Sequence, residues 1–349
     1  MSSTPTEVVD PVVSMPFRID RHEKVATAGS CFAQHIGRHL AARGFSLLIT
    51  ERAHPIVPTE TAKLMHYGVY TARYGNIYTT RQALQLLRRA YGTFTPREEP
   101  WSDGAGNWFD PFRPTIQPNG FTSREELEAD RTQHFRAVRA MFETADVLIF
   151  TLGLTEAWVS REDGAVFPVC PGVSGGTFDA NRYAFVNFSA DEVLADLRTF
   201  LTEVRAVRPK LRVIVTVSPV PLAATAEPRH VWTSTTYSKA ALRIAAEAIS
   251  QEPNTAYFPS YEVITSPTNR CNYYADDLRS VTETGVEHVM RLFFQHLAGE
   301  NEEVQVVSDI HNEAHDTLEN SKRAVDVICE ESALDIATSL ASRNNKDHL

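Results

Sequence analysis

Lys24-Val25-Ala26-Thr27-Ala28-Gly29-Ser30-Cys31-Phe32-Ala33 is the stretch on which the reading of this chain turns. Its first four residues are a short strand candidate, and Ala28-Gly29-Ser30 is a tight turn. Ala33 to Gly44 reads as a helix with Ile36 and Leu40 inward and Gly44 as its stop. Strand, tight turn and helix open a parallel α/β sheet, and the turn falls at the carboxyl end of the strand, where such sheets place ligands. A Ser at that point faces outward from the bend, and the N–H groups after it belong to a helix N-terminus that can stabilise a developing oxyanion. The same spacing also describes Ser30 as a plain N-cap of the helix.

Outward from this unit, the alternation continues. Asp146 to Leu152 (DVLIFTL) and Arg212 to Val217 (RVIVTV) are near-continuous apolar runs, as strands buried on both faces should be. Between them Ala190 to Arg208 carries Val193, Leu194, Leu197, Phe200, Leu201, Val204 and Val207 on one helical stripe, and Pro209 ends it. A helix over roughly Ser238 to Ile249, a strand at Ala256-Tyr257-Phe258 and a helix from Glu283 to Leu297 follow. This order predicts an α/β fold, a doubly wound (flavodoxin-like) parallel sheet flanked by helices. Pro96 to Phe121 and Val166 to Asn187 break the alternation as long loop insertions, rich in Gly and aromatics, of the kind that form lids, binding loops or surface decoration. Trp101, Trp108, Phe109, Trp158, Tyr183 and Trp232 lie in or beside irregular stretches, where they either pin the loops or offer faces to a sugar ring or acyl chain. The organisation expected is an N-terminal extension over 1–18, an α/β domain over 19–298 and an acidic helical C-terminal appendage over 299–349 suited to partner binding or self-association as a homo-oligomer.

Composition narrows the function classes. The chain has 349 residues, 43% of them hydrophobic and 22% charged, enough to bury a core. Its net charge of -10, with no basic run, argues against a dedicated nucleic-acid binder and against a polybasic membrane tether. No window is apolar enough to span a bilayer, and Met1 to Asp10 does not read as a secretory signal. Cys31, Cys170, Cys271 and Cys329 are scattered without metal-ligand spacing, which fits a reducing, cytoplasmic setting with no zinc site and no disulfide framework. No phosphate-binding glycine loop or other cofactor motif is present.

Further blocks carry a resemblance. Gly29-Ser30-Cys31-Phe32-Ala33, YGNIYTTRQ (Tyr74 to Gln82), DPFRP (Asp110 to Pro114), FTLGLTEAW (Phe150 to Trp158), TVSPVPL (Thr216 to Leu222), TYSKAALR (Thr236 to Arg243) and YFPSYE (Tyr257 to Glu262) resemble the GSCFA-domain family over roughly Ile19 to Leu297. That family looks like a branch of the SGNH (GDSL-like) hydrolases, which use a Ser in the first block, a Gly and an Asn as oxyanion donors, and a late Asp-x-x-His pair. The resemblance puts Ser30 at the nucleophile position and Gly75, followed by Asn76, in the second block. Gly153-Leu154-Thr155-Glu156 falls where Gly-x-Asn-Asp would stand, with Thr155 replacing the oxyanion Asn and Glu156 the Asp. A Thr hydroxyl can still donate one hydrogen bond, and Glu156 reads equally as a structural carboxylate.

The late block departs from the pattern. Asp277-Leu278-Arg279-Ser280 keeps the Asp but has Ser280 at the His position, and a hydroxyl cannot serve as a base near neutral pH. Two imidazoles are candidates to replace it. His288 lies on the last helix, off the stripe of Val286, Val289 and Met290, and so is expected at the surface or in a cleft. His230 sits in a loop after the strand end at Ser218-Pro219 and reads equally as a capping residue. Cys31, at the first turn of a helix, is a further candidate nucleophile that needs less help from a base, or else a small buried side chain.

The resemblance therefore implies a hydrolase or O-acyltransferase acting on an acylated glycan or small ester. Ser30 attacks, the Ser30 N–H with Gly75, Asn76 or Thr155 holds the oxyanion, His288 or His230 takes the proton, and Asp277 orients it. A transferase would also need an acyl donor such as acyl-CoA. A Cys31-dependent acyltransferase and a non-catalytic binding protein on the same scaffold are the alternatives.

Overall fold

A computed structural model describes residues 6–299. The expected acidic appendage beyond Gly299, with Cys329 and the self-association assigned to it, lies outside the described residues.

Strand β1 (Val25–Gly29) turns into α1 (Phe32–Ala42). The chain then passes through α2 (Thr59–Leu64), α3 (Thr80–Ala90), the short pair β2 (Trp101–Ser102) and β3 (Trp108–Phe109), and α4 (Arg124–Thr144) before β4 (Val147–Leu152). Strands β5 (Glu156–Ser160), β6 (Val166–Phe167) and β7 (Tyr183–Asn187) precede α5 (Ala190–Val207) and β8 (Arg212–Val217). Helix α6 (Val231–Ser250), β9 (Thr255–Tyr257), α7 (Ser260–Thr265) and α8 (Glu283–Phe293) complete the domain.

Four parallel strands form the central sheet in the order β1-β4-β8-β9. Leu47 makes an isolated parallel bridge to Val25 and so occupies the outer side of β1. The chain thus moves outward from β1 to Leu47 and then back across it to β4. The reversal of direction falls between β1 and β4, which is the switch point where doubly wound sheets open a crevice beyond the carboxyl ends of their strands.

Alternate strand residues feed two cores. Val25, Val147, Ile149 and Ile214 pack with Phe32, Ile36 and Leu40 of α1 and with Val286, Val289 and Phe293 of α8. Ala26, Leu148, Phe150, Val213 and Val215 face α3 to α6 through Leu84, Val138, Leu197 and Leu242. This two-sided burial is what the unbroken apolar runs require. Residues 6–19 lie along α8, with Ile19 N–H donating to the Leu297 carbonyl and Val12 and Ile19 buried in the same core as α8.

The irregular stretches are tied down by two devices. Trp101, Phe112, Phe167, Val169 and Tyr183 form a separate apolar cluster with Trp158 and Phe109 at its margin, so five of the six loop aromatics pin structure there or beside it. Trp232 is the exception, 73% exposed on the first turn of α6. The second device is a buried ion network. Asp110 accepts from Arg113 (2.9 Å) and Arg131 (3.1 Å), Asp130 from Arg73 (2.8 Å) and Arg113 (2.6 Å), and Glu51 lies 2.7 Å from His134 Nδ1. It fastens the 110–116 loop and the approach to residue 73 onto α4.

Candidate functional site

The bend after β1 exists because of Gly29. Its φ is +131°, outside the range that residues with a Cβ adopt, and a Cβ there would stand 2.1 Å from the Thr151 carbonyl oxygen of β4. The backbone therefore comes off the strand at an angle, and Ser30 projects from the carboxyl end of the sheet. Ser30 N–H donates to Thr151 O (3.1 Å) and Ser30 O accepts from Ala33 N (2.9 Å). Since that N–H is spent on the sheet, it cannot also hold an oxyanion, which removes one donor expected from sequence. Ser30 does not cap α1. Cys31 is the N-cap residue, with no side-chain cap bond. The Ser30 hydroxyl is buried, which corrects the exposed, outward-facing position expected from sequence, and it has no hydrogen-bond partner among the described residues.

Two further segments close on this hydroxyl-bearing bend. Ile77 N–H donates to Gly29 O (2.8 Å), which lays Gly75-Asn76-Ile77 directly beside it. Gly75 takes φ +73° to make the turn. Asn76 is 1% exposed, and its Oδ1 accepts from Nε2 of Gln34 (3.3 Å), one turn into α1. Its carbonyl accepts from Gln82 of α3 (2.9 Å). With Oδ1 turned to Gln34, the amide nitrogen is the donating end of Asn76. The third segment, Gly153-Leu154-Thr155, leaves β4 alongside. A Cβ on Gly153 would lie 3.0 Å from Ser30 Cβ and 3.1 Å from Tyr78 O, so only glycine lets these chains approach.

Thr155 does not take the expected part. Its hydroxyl donates to Asn187 Oδ1 (2.7 Å) and its N–H to Ser238 Oγ (3.0 Å). The single hydroxyl proton is already committed, so Thr155 organises the loop and does not supply an oxyanion donor. Glu156 accepts from Thr225 Oγ1 (2.7 Å), and burial raises its carboxyl above the usual range against the lowering effect of that bond and of Ser234. It behaves as the structural carboxylate of the post-β8 loop.

Asp277 lies at the same end of the sheet, two strands from Ser30. Its segment is fixed to the loop after β8 through Tyr274 Oη to Pro219 O (2.9 Å) and Arg279 Nε to Pro221 O (3.2 Å). The carboxylate is closed on its own turn. Oδ1 accepts from the N–H groups of Arg279 (2.9 Å) and Ser280 (2.8 Å), and Oδ2 from Ser280 Oγ (2.6 Å). Burial alone would raise its pKa. The Ser280 hydroxyl and the two N–H groups outweigh that and hold it below the ordinary value. Asp277 is thus bonded to the residue that stands where a His was expected.

Neither candidate imidazole is bonded to Ser30 or Asp277. His288 is buried, 5% exposed, which corrects the expected surface or cleft position. Its Nδ1 meets Tyr273 Oη (2.8 Å) and its Nε2 meets Val9 O (2.8 Å). Burial lowers its pKa, and both ring nitrogens are spent on fixing the 6–19 segment to α8. The helical wheel misplaced it because residues 6–19 cover the face that would otherwise be open. His230 is exposed and caps α6, its Nδ1 accepting from Trp232 N (3.2 Å).

Sequence reasoning overlooked a cation. Helix α6 begins at Val231, two turns before the predicted Ser238, and brings Ser238 and Lys239 under the end of β4. Lys239 is 1% exposed and its Nζ donates to Gly153 O (2.8 Å). The signal was available. Lys239, Leu242, Ala246 and Ile249 recur at helical spacing, so the lysine sits in the apolar stripe of α6.

Among the described residues no helix is long and apolar enough to cross a membrane, and no group of three His, Cys, Asp or Glu residues could hold a metal ion. A model of the GSCFA family matches residues 24–293. No curated protein matches the chain. A crystal structure from Parabacteroides merdae ATCC 43184, described as that of "a putative GDSL-like lipase", aligns with a TM-score of 0.33 and 12% identity, covering 82% of this chain and 100% of that one.

Proposed function

The chain belongs to the GSCFA family, and we propose that it is a serine acyl-ester hydrolase or O-acyltransferase with Ser30 as nucleophile. One observation carries the reading. Ser30 stands on a glycine-enforced bend at the switch point with its hydroxyl unbonded among the described residues, while Gly153 packs against its side chain and the Gly75-Asn76-Ile77 segment is bonded to Gly29 next to it. A structural serine in so buried a place would be expected to find a partner. In the proposed reaction Oγ attacks the ester carbonyl, and the oxygen that becomes negative is met by the Asn76 amide and the N-terminal end of α1. The acyl-enzyme is then resolved by water, or by an acceptor hydroxyl if the protein is a transferase.

An O-acyl group on a glycan or a related small ester is the substrate class we favour. Trp232, exposed at the N-terminal end of α6 on the site's side of the sheet, offers an aromatic face of the kind sugar rings stack on. A second reading, a binding protein without turnover, is favoured by the Asp277–Ser280 bond, which leaves no imidazole in the late block. Cys31, 6% exposed beside Ser30, is the remaining candidate nucleophile.

p-Nitrophenyl acetate hydrolysis by wild type, Ser30→Ala and Cys31→Ala separates the three. Loss of rate in Ser30→Ala alone supports the serine mechanism, and loss in Cys31→Ala alone supports the thiol. Equal background rates in all three refute catalysis.

A further inference from the structure

We propose that Lys239 is the base that accepts the Ser30 proton, in the role for which sequence offered only His230 or His288; the proposal rests on the Ser30 reading above. The two residues flank Gly153. The Ser30 side chain lies on one side, against its Cα, and Lys239 Nζ holds its carbonyl oxygen at 2.8 Å. Lys239 is also among the most completely buried large side chains of the domain. A lysine amine in its neutral form is a competent general base. The groups around it are the ones the reaction uses. Ser238, its neighbour on α6, holds the Thr155 N–H, so one turn of helix grips the Gly153-Leu154-Thr155 loop at both ends. The imidazoles of His288 and His230 are engaged elsewhere, and Ser280 is closed on Asp277.

The step balances with these groups alone. The lone pair of neutral Nζ takes the Oγ proton as Oγ bonds the acyl carbon and the carbonyl electron pair moves to oxygen. When the tetrahedral adduct collapses, the ester C–O bond breaks and the ammonium returns the proton to the leaving alkoxide. Water or an acceptor alcohol then gives its proton to the same amine as its oxygen bonds the acyl carbon; the Ser30 Oγ–acyl bond breaks as that adduct collapses, and the ammonium returns the proton to Oγ. Ser30 Oγ and Lys239 Nζ are not hydrogen-bonded to each other in the free protein, and catalytic hydrogen bonds commonly form only when substrate is bound.

A fluorophosphonate probe tests the assignment, with adduct formation followed by intact-protein mass spectrometry across pH. In labelling, the Ser30 O–P bond forms, P–F breaks, fluoride leaves and the proton passes to Lys239. Lys239→Met removes the amine, whereas Lys239→Arg keeps a donor for Gly153 O but cannot act as a base. Both variants are expected to label on the order of 10²–10⁴-fold more slowly, and to lose the wild-type inflection in favour of a rate that simply climbs with hydroxide. Retention of the wild-type rate and inflection by Lys239→Arg would show that the lysine merely pins the loop, and overturns the proposal. A measurement on the wild type alone guards against variants that fail to fold. Warming should move the inflection strongly to lower pH, as amine ionisation does, and a temperature-insensitive inflection overturns the assignment. If wild type labels no faster than Ser30→Ala, the Ser30 reading itself falls; Ser30-dependent labelling with an unchanged profile in Lys239→Met sinks only the role of Lys239.

Discussion

Gly153→Ala should damage the proposed chemistry more than the fold. The added methyl would meet Ser30 Cβ at 3.0 Å, Tyr78 O at 3.1 Å and Tyr78 Cα at 3.3 Å. Carbon atoms rest about 3.5–4.0 Å apart, so the three contacts are short by several tenths of an ångström together. None of them is the far end of a flexible side chain. Tyr78 offers backbone, itself held by its bonds from Gly153 N (3.2 Å) and Leu154 N (2.9 Å), and Ser30 Cβ is one bond from a backbone fixed to Thr151. Overpacking of this sort costs about 1–3 kcal/mol, which a domain with two large cores should survive. The less constrained partner is Ser30, and a displacement of about 1 Å of a reacting group can cost on the order of 10²-fold in rate. Urea unfolding and fluorophosphonate labelling, measured on the same preparation, give both numbers. A variant that unfolds at the wild-type urea concentration and labels at the wild-type rate would refute the packing argument and the placement of Ser30 against Gly153. Gly29→Ala is the contrasting case. Its Cβ would fall 2.1 Å from Thr151 O at φ +131°, where neither atom can yield, and no folded protein is expected.

Four other perturbations check the remaining assignments. Gln34→Ala removes the donor to Asn76 Oδ1 and should lower Ser30 labelling with a stability loss of about 1 kcal/mol; an unchanged labelling rate would show that Asn76 needs no such orientation. His288→Ala strips the partners of Tyr273 Oη and Val9 O and should destabilise by about 1–3 kcal/mol, read by urea unfolding. Labelling of the folded fraction should stay at the wild-type rate, and its loss would restore His288 as the base. Asp277→Ala should leave labelling within a few-fold, since the carboxylate serves its own turn; a large fall would show that it reaches the site. Acid should weaken the fold through Glu51 and His134. Burial opposes ionisation of Glu51, but His134, Arg113 and the Arg73 N–H hold its carboxyl down to about 2. The stability it contributes is present above its unfolded value of about 4.3 and drains away as pH falls toward 2. His134 works in the same direction, because burial lowers its pKa and the unfolded chain binds a proton that the folded one resists. Urea midpoints from pH 7 to pH 3 should therefore fall, and Glu51→Gln should flatten the lower part of that curve; an unaltered slope would remove Glu51 from the cause.

The parallel sheet was legible because its strands are buried on both faces and so leave unbroken apolar runs, as in DVLIFTL and RVIVTV. Helix α5 showed itself through a clean stripe ended by Pro209, and the structure adds a capping box on Ser189 and Glu192. Helix α4 did not, although it is 21 residues long. Its inward face has an apolar period only in the second half, through Ala137, Val138, Met141 and Phe142; in the first half Asp130 and Arg131 meet the 110–116 loop in ion pairs and His134 is buried against Glu51, so charge pairing interrupts the stripe there. The three antiparallel strands β5 to β7 were hidden for another reason. They are five, two and five residues long, and the loops between them carry the Gly and aromatic residues that mark irregular chain.

The site divides along the same line. Gly29 and Ser30 could be read from the strand, turn and helix spacing, whereas Gly75 and Asn76 entered through the family resemblance; both glycines take a positive φ, at a bend and at a turn. The proton acceptor could not be read, because it depends on which side chains three separate crossovers bring to one peptide. A search for imidazole by sequence position found His288 and His230, and the N-terminal segment and the α6 cap account for both. Lys239 was concealed by its chemistry, since a charged residue within a helical stripe invites assignment to solvent. Its helix begins two turns before the apolar pattern does, with the polar run Thr233-Ser234-Thr235-Thr236, and that early start carries Ser238 and Lys239 to the end of β4. The Lys239→Arg variant isolates the question, for it keeps a donor on the Gly153 carbonyl and takes away the capacity to accept a proton.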